Sequence, residues 1–208
     1  SARVFYRLPE AVDYVEIRAK REPLRLTNYA QLTAAEGYVF APFTLSEQNP
    51  FWLIPADDKI QHKVEAPVTQ SPKAERCEGD TEIKSYARAF AQCKEMLSDG
   101  HLEKIVLSRT ATLRMCTPLT AAHRHALFLE SCHRYPHSFV SLVELPAPYG
   151  AWLMATPEVL VETETNGFHT MALAGTSPVS DESKLFLENW SPKNRREQAC
   201  VADYIRKH

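Results

Sequence analysis

Three runs rich in β-branched and aromatic residues lie close together between residues 138 and 174, and they restrict the possible folds more than any other feature. The runs cover Ser138 to Leu145, Ala151 to Glu164 with a break at Thr156-Pro157, and Phe168 to Ala174. Asn166-Gly167 separates the last two, and Asn-Gly between β-prone runs is a strong hairpin signal. Strands joined this closely pair antiparallel, because a parallel pair needs a long crossover connection. The sequence therefore predicts an antiparallel sheet.

The first 64 residues predict a β-rich lead-in. Short β-prone segments cover Val4 to Leu8, Gly37 to Phe43 and Phe51 to Ile60, and prolines punctuate them. Residues 65–80 are polar and contain Pro67, Pro72 and Gly79, which favours a connecting loop and the best internal boundary.

Helical spacing dominates the rest of the chain. Four helices are predicted: one from the Asp80 and Thr81 caps to Asp99-Gly100, one from about Pro118 to Arg134, one over Glu182 to Asn189, and one from Lys193 after the Ser191 cap. Between the first two helices, Lys104 to Arg114 alternates with a period of two, which predicts a strand with one mostly polar face. Antiparallel strands with helices packed outside them indicate the α+β class.

Composition excludes several classes of function. The 24 Lys and Arg residues nearly balance the 26 Asp and Glu residues, so no overall field favours binding to nucleic acid or to an anionic membrane. The five cysteines include no close pair that would hold zinc or perform dithiol chemistry, which fits a cytoplasmic protein. No apolar run approaches the roughly 20 residues of a membrane span. His123, His125 and His133 are expected on a solvated helix face, without a shared metal.

Three segments contain residues suited to chemistry. Lys104 opens its strand among small or polar neighbours and could act as a base. Glu158 follows a proline and precedes Val159-Leu160-Val161, and enclosure by these side chains would keep its carboxyl protonated as a general acid. Gly175 and Thr176 end an apolar strand, where their backbone amides could bind a carboxylate. Taken singly, each segment fits an ordinary surface or turn residue better than a catalytic one.

Taken together, these segments resemble the chorismate-utilising enzymes, a family that includes isochorismate, salicylate, anthranilate and aminodeoxychorismate synthases. The resemblance rests on Lys104-Ile-Val-Leu-Ser-Arg109, Thr156-Pro-Glu158 and Leu173-Ala-Gly-Thr176, in that order. A fourth segment, Lys193-Asn-Arg-Arg-Glu197, resembles the family's helix with a magnesium-binding glutamate. The resemblance implies antiparallel sheets that face each other, chorismate as substrate and Mg2+ as cofactor. It also implies Lys104 and Glu158 as catalytic residues, Gly175 and Thr176 as substrate-binding residues, and Glu197 as a metal ligand.

The resemblance also narrows the choice within the family. Members that add water carry a lysine where Lys104 stands, whereas anthranilate synthases typically carry glutamine there. Some aminodeoxychorismate synthases place a nucleophilic lysine before the glycine of the glycine-threonine motif, and this chain has Ala174 at that position. Isochorismate and salicylate synthases both remain. The segment Gly37-Tyr-Val-Phe-Ala-Pro-Phe43 resembles bacterial isochorismate synthases that supply menaquinone synthesis, which favours isochorismate synthase.

Members of the family are considerably longer than 208 residues, and the resemblance is good from about residue 82 and loose over the first 64. Residues 81–208 are therefore expected to form the N-terminal half of a chorismate-binding catalytic domain. The last helical pattern has no closing signal at His208, which predicts an incomplete C-terminus. A truncated chain of this kind should show no turnover and weak magnesium affinity. It could instead be a non-catalytic fragment or binding domain, and its unpaired sheet edges could form a dimer.

Overall fold

A computed structural model of the chain describes residues 1–32, 36–66, 74–76, 80–176, 178 and 182–207. Its strands are β1 (Arg3–Arg7), β2 (Asp13–Arg18), β3 (Leu24–Leu26), β4 (Gly37–Phe40), β5 (Phe51–Pro55), β6 (Asp58–Lys63), β7 (Ala74–Arg76), β8 (Leu113–Met115), β9 (Phe139–Glu144), β10 (Ala151–Thr156), β11 (Glu162–Glu164) and β12 (Gly167–His169). Its α-helices are α1 (Asp80–Ser98), α2 (Ala121–Arg134) and α3 (Pro192–Lys207). Short 3-10 helices cover Tyr29–Gln31, Glu182–Leu185 and Leu187–Asn189.

The chain forms two compact units, and each is built from two separate stretches. The first unit combines Ser1–Lys73 with Thr117–Pro157, and the second combines Ala74–Cys116 with Glu158–His208. The first junction between the units, at Lys73 and Ala74, falls within the predicted loop at 65–80, and residues 117–157 return to the first unit. Pro67, Pro72 and Gly79, which predict that boundary, lie outside the described residues.

The first unit contains a five-stranded sheet in the order β10-β9-β1-β2-β6, with every neighbouring pair antiparallel. A three-stranded antiparallel sheet has the order β3-β5-β4. The β9–β10 hairpin confirms the strands predicted from the runs at 138–145 and 151–156. The mixture of helices and antiparallel sheets confirms the α+β class.

Both faces of the five-stranded sheet are covered by apolar side chains. On one face, Val4, Ile17 and Val143 pack with Ile54 of the smaller sheet. On the other face, Phe5 and Leu142 pack with α2 through its buried apolar side chains, Phe128, Leu129 and Cys132. Successive residues of a strand point to opposite faces, so Val4 and Phe5 belong to different clusters. This arrangement explains why β1 and β9 have apolar residues at consecutive positions.

Both ends of helix α2 are stabilised by hydrogen bonds. The Thr120 side chain accepts a hydrogen bond from the His123 amide, so this histidine completes the N-terminal cap. The buried Arg7 guanidinium donates to the carbonyls of Tyr135 and Pro136 at the other end, where a positive charge complements the helix dipole. His125 does not lie on a solvated face as predicted. It packs 4.9 Å from the Phe5 ring, because the sheet covers this side of α2, and burial lowers its pKa.

The second unit contains α1, α3 and two small hairpins. Strand β7 pairs with β8, and β11 pairs with β12 across the turn predicted from Asn166-Gly167. Helix α1 ends close to the predicted Asp99-Gly100 stop. Helix α3 begins at Pro192, and Ser191 accepts a hydrogen bond from the Asn194 amide as the capping prediction requires. The uncapped helix end predicted at His208 lies outside the described residues.

Two predicted strands are much shorter in the structure. The strand expected over Lys104–Arg114 is present only from Leu113, and the strand expected over Phe168–Ala174 ends at His169. A strand requires a paired backbone as well as alternating side chains, and within the described residues the pairing is limited to these short ladders. The helix expected over Glu182–Asn189 is two 3-10 turns. No helix in the described ranges is long and apolar enough to cross a membrane.

Candidate functional site

Lys104 and Glu197 meet in the second unit. The Lys104 Nζ lies 3.6 Å from a Glu197 carboxylate oxygen, although 93 positions separate the two residues. Their side chains are 25% and 34% exposed, so the pair is partly shielded but open to a ligand. The structure thus joins the predicted base and the predicted metal ligand in one ion pair.

Helix α3 presents one partly buried face to this site. Asn194, Glu197 and Gln198 lie on that face at a spacing of three and four residues, whereas Lys193, Arg195 and Arg196 are exposed. The Cys200 thiol on the next turn lies 3.7 Å from a Glu103 carboxylate oxygen and donates to it. The segment that carries Lys104 therefore contacts α3 at two adjacent residues.

The predicted substrate-binding segment packs against the same helix. The Gln198 side-chain oxygen accepts hydrogen bonds from the amides of Ala174 at 3.1 Å and Gly175 at 3.3 Å. The Gln198 side-chain nitrogen donates to the Ala172 carbonyl at 2.6 Å, and Asn194 donates to the Thr176 carbonyl at 2.7 Å. Thus Gly175 is held by the residue that follows Glu197, and Thr176 is held by a residue almost one helical turn before it.

Gly175 is required by this packing. A Cβ atom at residue 175 would lie 2.6 Å from the Asn194 backbone oxygen and 3.1 Å from the Trp190 ring. Any larger residue would push the segment away from α3, because these contacts include rigid backbone. From the sequence, a ligand was predicted to approach this glycine closely. In the structure, the start of helix α3 lies there instead.

The two predicted substrate-binding amides differ in availability. Gln198 already accepts the hydrogen bond of the Gly175 amide. For the Thr176 amide, the structure gives no acceptor among the residues it describes. The Thr176 N–H is therefore the more accessible donor for a carboxylate in this conformation.

Glu158 lies at the start of the second stretch of this unit and is exposed. The residues that the structure describes do not form the enclosure predicted from the following apolar residues, since Leu160 is 89% exposed and Val161 is 59% exposed. Apolar residues in sequence can create a dry pocket only when other elements cover them. The role of Glu158 as a general acid stays a prediction.

Sequence reasoning missed Asn194 and Gln198 as parts of the site. The available signal was their position on the same helical face as Glu197. Further along this helix the surface is more open, and Tyr204 is 64% exposed. The partner that the Glu197 carboxylate requires is Lys104, which only the tertiary structure reveals.

The sequence was also compared with models of known protein families. The model described as chorismate binding enzyme matches residues 10–208, which is nearly the whole chain. The chain belongs to this family. Among curated proteins, none matches it. The family match begins at residue 10 and so includes most of the first 64 residues, where the motif resemblance is loose. Both units of this chorismate-binding enzyme therefore lie mainly within the matched range.

Proposed function

We propose that this member of the chorismate binding enzymes is an isochorismate synthase, and that residues 81–208 contribute the N-terminal half of its catalytic domain. The observation that supports the proposal best is the Lys104–Glu197 ion pair beside the Gly175-Thr176 segment. It joins a candidate base, a candidate metal ligand and a candidate carboxylate-binding backbone within one compact unit.

The proposed reaction adds water at C2 of chorismate and removes the C4 hydroxyl. Lys104 in its neutral form takes a proton from water as the new oxygen–carbon bond forms at C2. The two ring double bonds shift, the C4–oxygen bond breaks, and protonated Glu158 gives its proton to the departing hydroxyl, which leaves as water. Lys104 gains one proton and Glu158 loses one, so the total number of protons does not change.

Backbone and carboxylate groups orient the substrate in this scheme. The amides of Gly175 and Thr176 hold the ring carboxylate, and the Thr176 amide is the more accessible of the two. Donors fixed by α3 need little rearrangement when negative charge develops on the substrate.

Glu197 is the proposed ligand for Mg2+. Its carboxylate already contacts one cation, the Lys104 ammonium, and it is partly exposed, so a hard cation could reach it. The described residues contain no cluster of three metal-ligating side chains. A single carboxylate still fits magnesium, which commonly combines one or two carboxylates with water and anionic groups of the substrate. When bound, the ion would neutralise the ring carboxylate and so favour electron flow toward it.

Lys104 supports the choice of water as nucleophile over ammonia, and Ala174 disfavours the lysine-nucleophile type of aminodeoxychorismate synthase. Salicylate synthase is the nearest alternative, because it shares the water-addition step. We further propose a cytoplasmic location and a role in supplying menaquinone or siderophore precursors.

The test is to incubate the purified chain with chorismate and Mg2+ and to separate the products by chromatography. Isochorismate is the product of the proposed activity, and its formation would contradict the expectation that the chain is truncated and inactive. Salicylate would instead assign the chain to the salicylate synthases. Calorimetry with chorismate, run in parallel, separates binding from turnover, and tight binding without any product would favour a non-catalytic binding domain.

A further inference from the structure

The face of α3 that carries Glu197 also carries two amide side chains without a role in the proposed reaction. Gln198 makes three hydrogen bonds to a single backbone stretch, at Ala172, Ala174 and Gly175. A glutamine side chain has both a donor and an acceptor, so it can pair with an extended backbone much as another strand would. All three bonds are partly buried, which makes their loss costly.

Asn194 provides a second attachment one helical turn earlier. Its side chain donates to the Thr176 carbonyl, and its backbone oxygen is the atom that a Cβ at residue 175 would meet. Attachment at two points fixes both the position and the rotation of the segment relative to α3. Residues 172–176 therefore cannot move independently of the helix while these contacts persist.

We infer that Gln198 is a positioning residue that couples the metal carboxylate to the carboxylate-binding backbone. This inference rests on the proposed function, in which Glu197 holds Mg2+ and Gly175-Thr176 binds the substrate. Because Gln198 directly follows Glu197, a shift of the helix at Glu197 is carried to the amides at residues 174 and 175. Mg2+ and chorismate then strengthen each other's binding, and part of that mutual effect depends on Gln198.

The variant that tests this role is Gln198→Met, which keeps the size of the side chain but removes its three hydrogen bonds. Gln92→Met is the matched control, because Gln92 is exposed on α1 in the same unit. Hydrogen exchange measured by mass spectrometry reports on residues 172–176. Exchange there should be at least about fivefold faster in Gln198→Met than in the wild type and the control, because amides lose their acceptor.

Calorimetry then measures chorismate affinity with and without Mg2+. We expect Mg2+ to raise the affinity about tenfold in the wild type and in Gln92→Met, and about threefold or less in Gln198→Met. A merely structural role would lower the thermal stability of Gln198→Met without changing this ratio. Should Gln198→Met fail to fold, Gln198→Asn, which only shortens the side chain, is measured in its place.

Unchanged exchange at residues 172–176 in the variant would overturn the positioning role. Faster exchange with an unchanged Mg2+ effect would overturn the coupling. Absence of chorismate binding by the wild-type chain would instead contradict the proposed function, and the exchange comparison would still decide whether Gln198 holds the segment.

Discussion

Lys104 forms an ion pair with the Glu197 carboxylate, and this ion pair restricts the chemistry of the lysine while no ligand is bound. At 3.6 Å, the ion pair directs the Lys104 Nζ toward Glu197, whereas a base must direct its nitrogen toward the proton that it accepts. A cation bound to Glu197 would compete with Lys104 for this carboxylate. The ion pair is therefore consistent with a lysine that turns to the substrate only in the assembled site.

Replacing Lys104 by alanine tests its role as the base. In a full-length version of the enzyme, we expect Lys104→Ala to lower the rate of water addition to chorismate by about 10²- to 10⁴-fold, the usual contribution of a positioned acid or base. Because the variant also frees Glu197 from its ion pair, Mg2+ binding measured by calorimetry should not weaken. The control is Lys94→Ala, since Lys94 is exposed on α1 in the same unit. Near-normal turnover by Lys104→Ala would exclude it as the base.

Glu16, in the first unit, differs from the partly exposed Glu197. Its carboxylate is buried and has a structural role. Its side chain is 2% exposed and contacts Arg3 and Arg18 at 2.6 Å and His62 at 2.9 Å. Burial raises the pKa of Glu16, but hydrogen bonds from Arg18 and Arg3 outweigh it and hold the pKa at about 2, below the usual 4.5. A lowered pKa means that the charged form stabilises the fold at neutral pH.

The stabilisation by Glu16 should therefore disappear in acid. At pH 7, Glu16→Gln should reduce the free energy of unfolding by about 3 kcal/mol, and the difference from wild type should shrink as pH falls from about 4.5 toward 2. Urea unfolding of both proteins at pH 7, 5, 4 and 3 measures this difference. Glu22→Gln, at an exposed position of the same unit, should change stability by less than about 0.5 kcal/mol. An equal difference at pH 3 and pH 7 would contradict the electrostatic explanation.

Helix α3 packs against residues 172–176, and Gly175 lies close to its backbone. We expect Gly175→Ala to destabilise the protein by about 1–3 kcal/mol, because the added Cβ would lie 2.6 Å from the Asn194 backbone oxygen. Thermal and urea unfolding report the stability, and calorimetry reports the accompanying loss of chorismate affinity. Gly167→Ala is a matched control, since a Cβ there meets no atom within 4 Å. Equal effects of the two substitutions would show that the α3 contact is not the cause.

Local signals were sufficient to predict most elements, but not the pairing between distant ones. The Ser191 and Pro192 signals predict the start of α3, and Asn166-Gly167 predicts the β11–β12 hairpin, because capping and turn chemistry act over a few residues. The strand predicted from Lys104 is mostly absent, since strand formation depends on a partner that the local sequence does not specify. The same limit applies to the site: Lys104 and Glu197 can be nominated from motifs, whereas their contact and the role of Gln198 require the fold.

For the whole molecule, burial is distributed unevenly between the two units. Every side chain of the apolar core belongs to the first unit, and among the described residues of the second unit none is buried to the same degree. The pairing of β1 with β9 illustrates why sequence reasoning divided the chain differently, because it joins residues more than 130 positions apart. The catalytic candidates thus lie in the unit with less apolar burial.

This distribution predicts how ligands change the stability of the molecule. Segments with little buried apolar surface open more readily, so amide hydrogen exchange should be slower in β1, β2 and β9 than in the second unit. Chorismate with Mg2+ binds the folded site and not the open form, so the two together should slow exchange at residues 172–176 and along α3. Exchange measured by mass spectrometry with Mg2+ alone, chorismate alone and both provides the comparison. Slower exchange in the first unit alone would show that the ligand binds outside the second unit. Ligand binding slows exchange most in the segments that the ligand contacts.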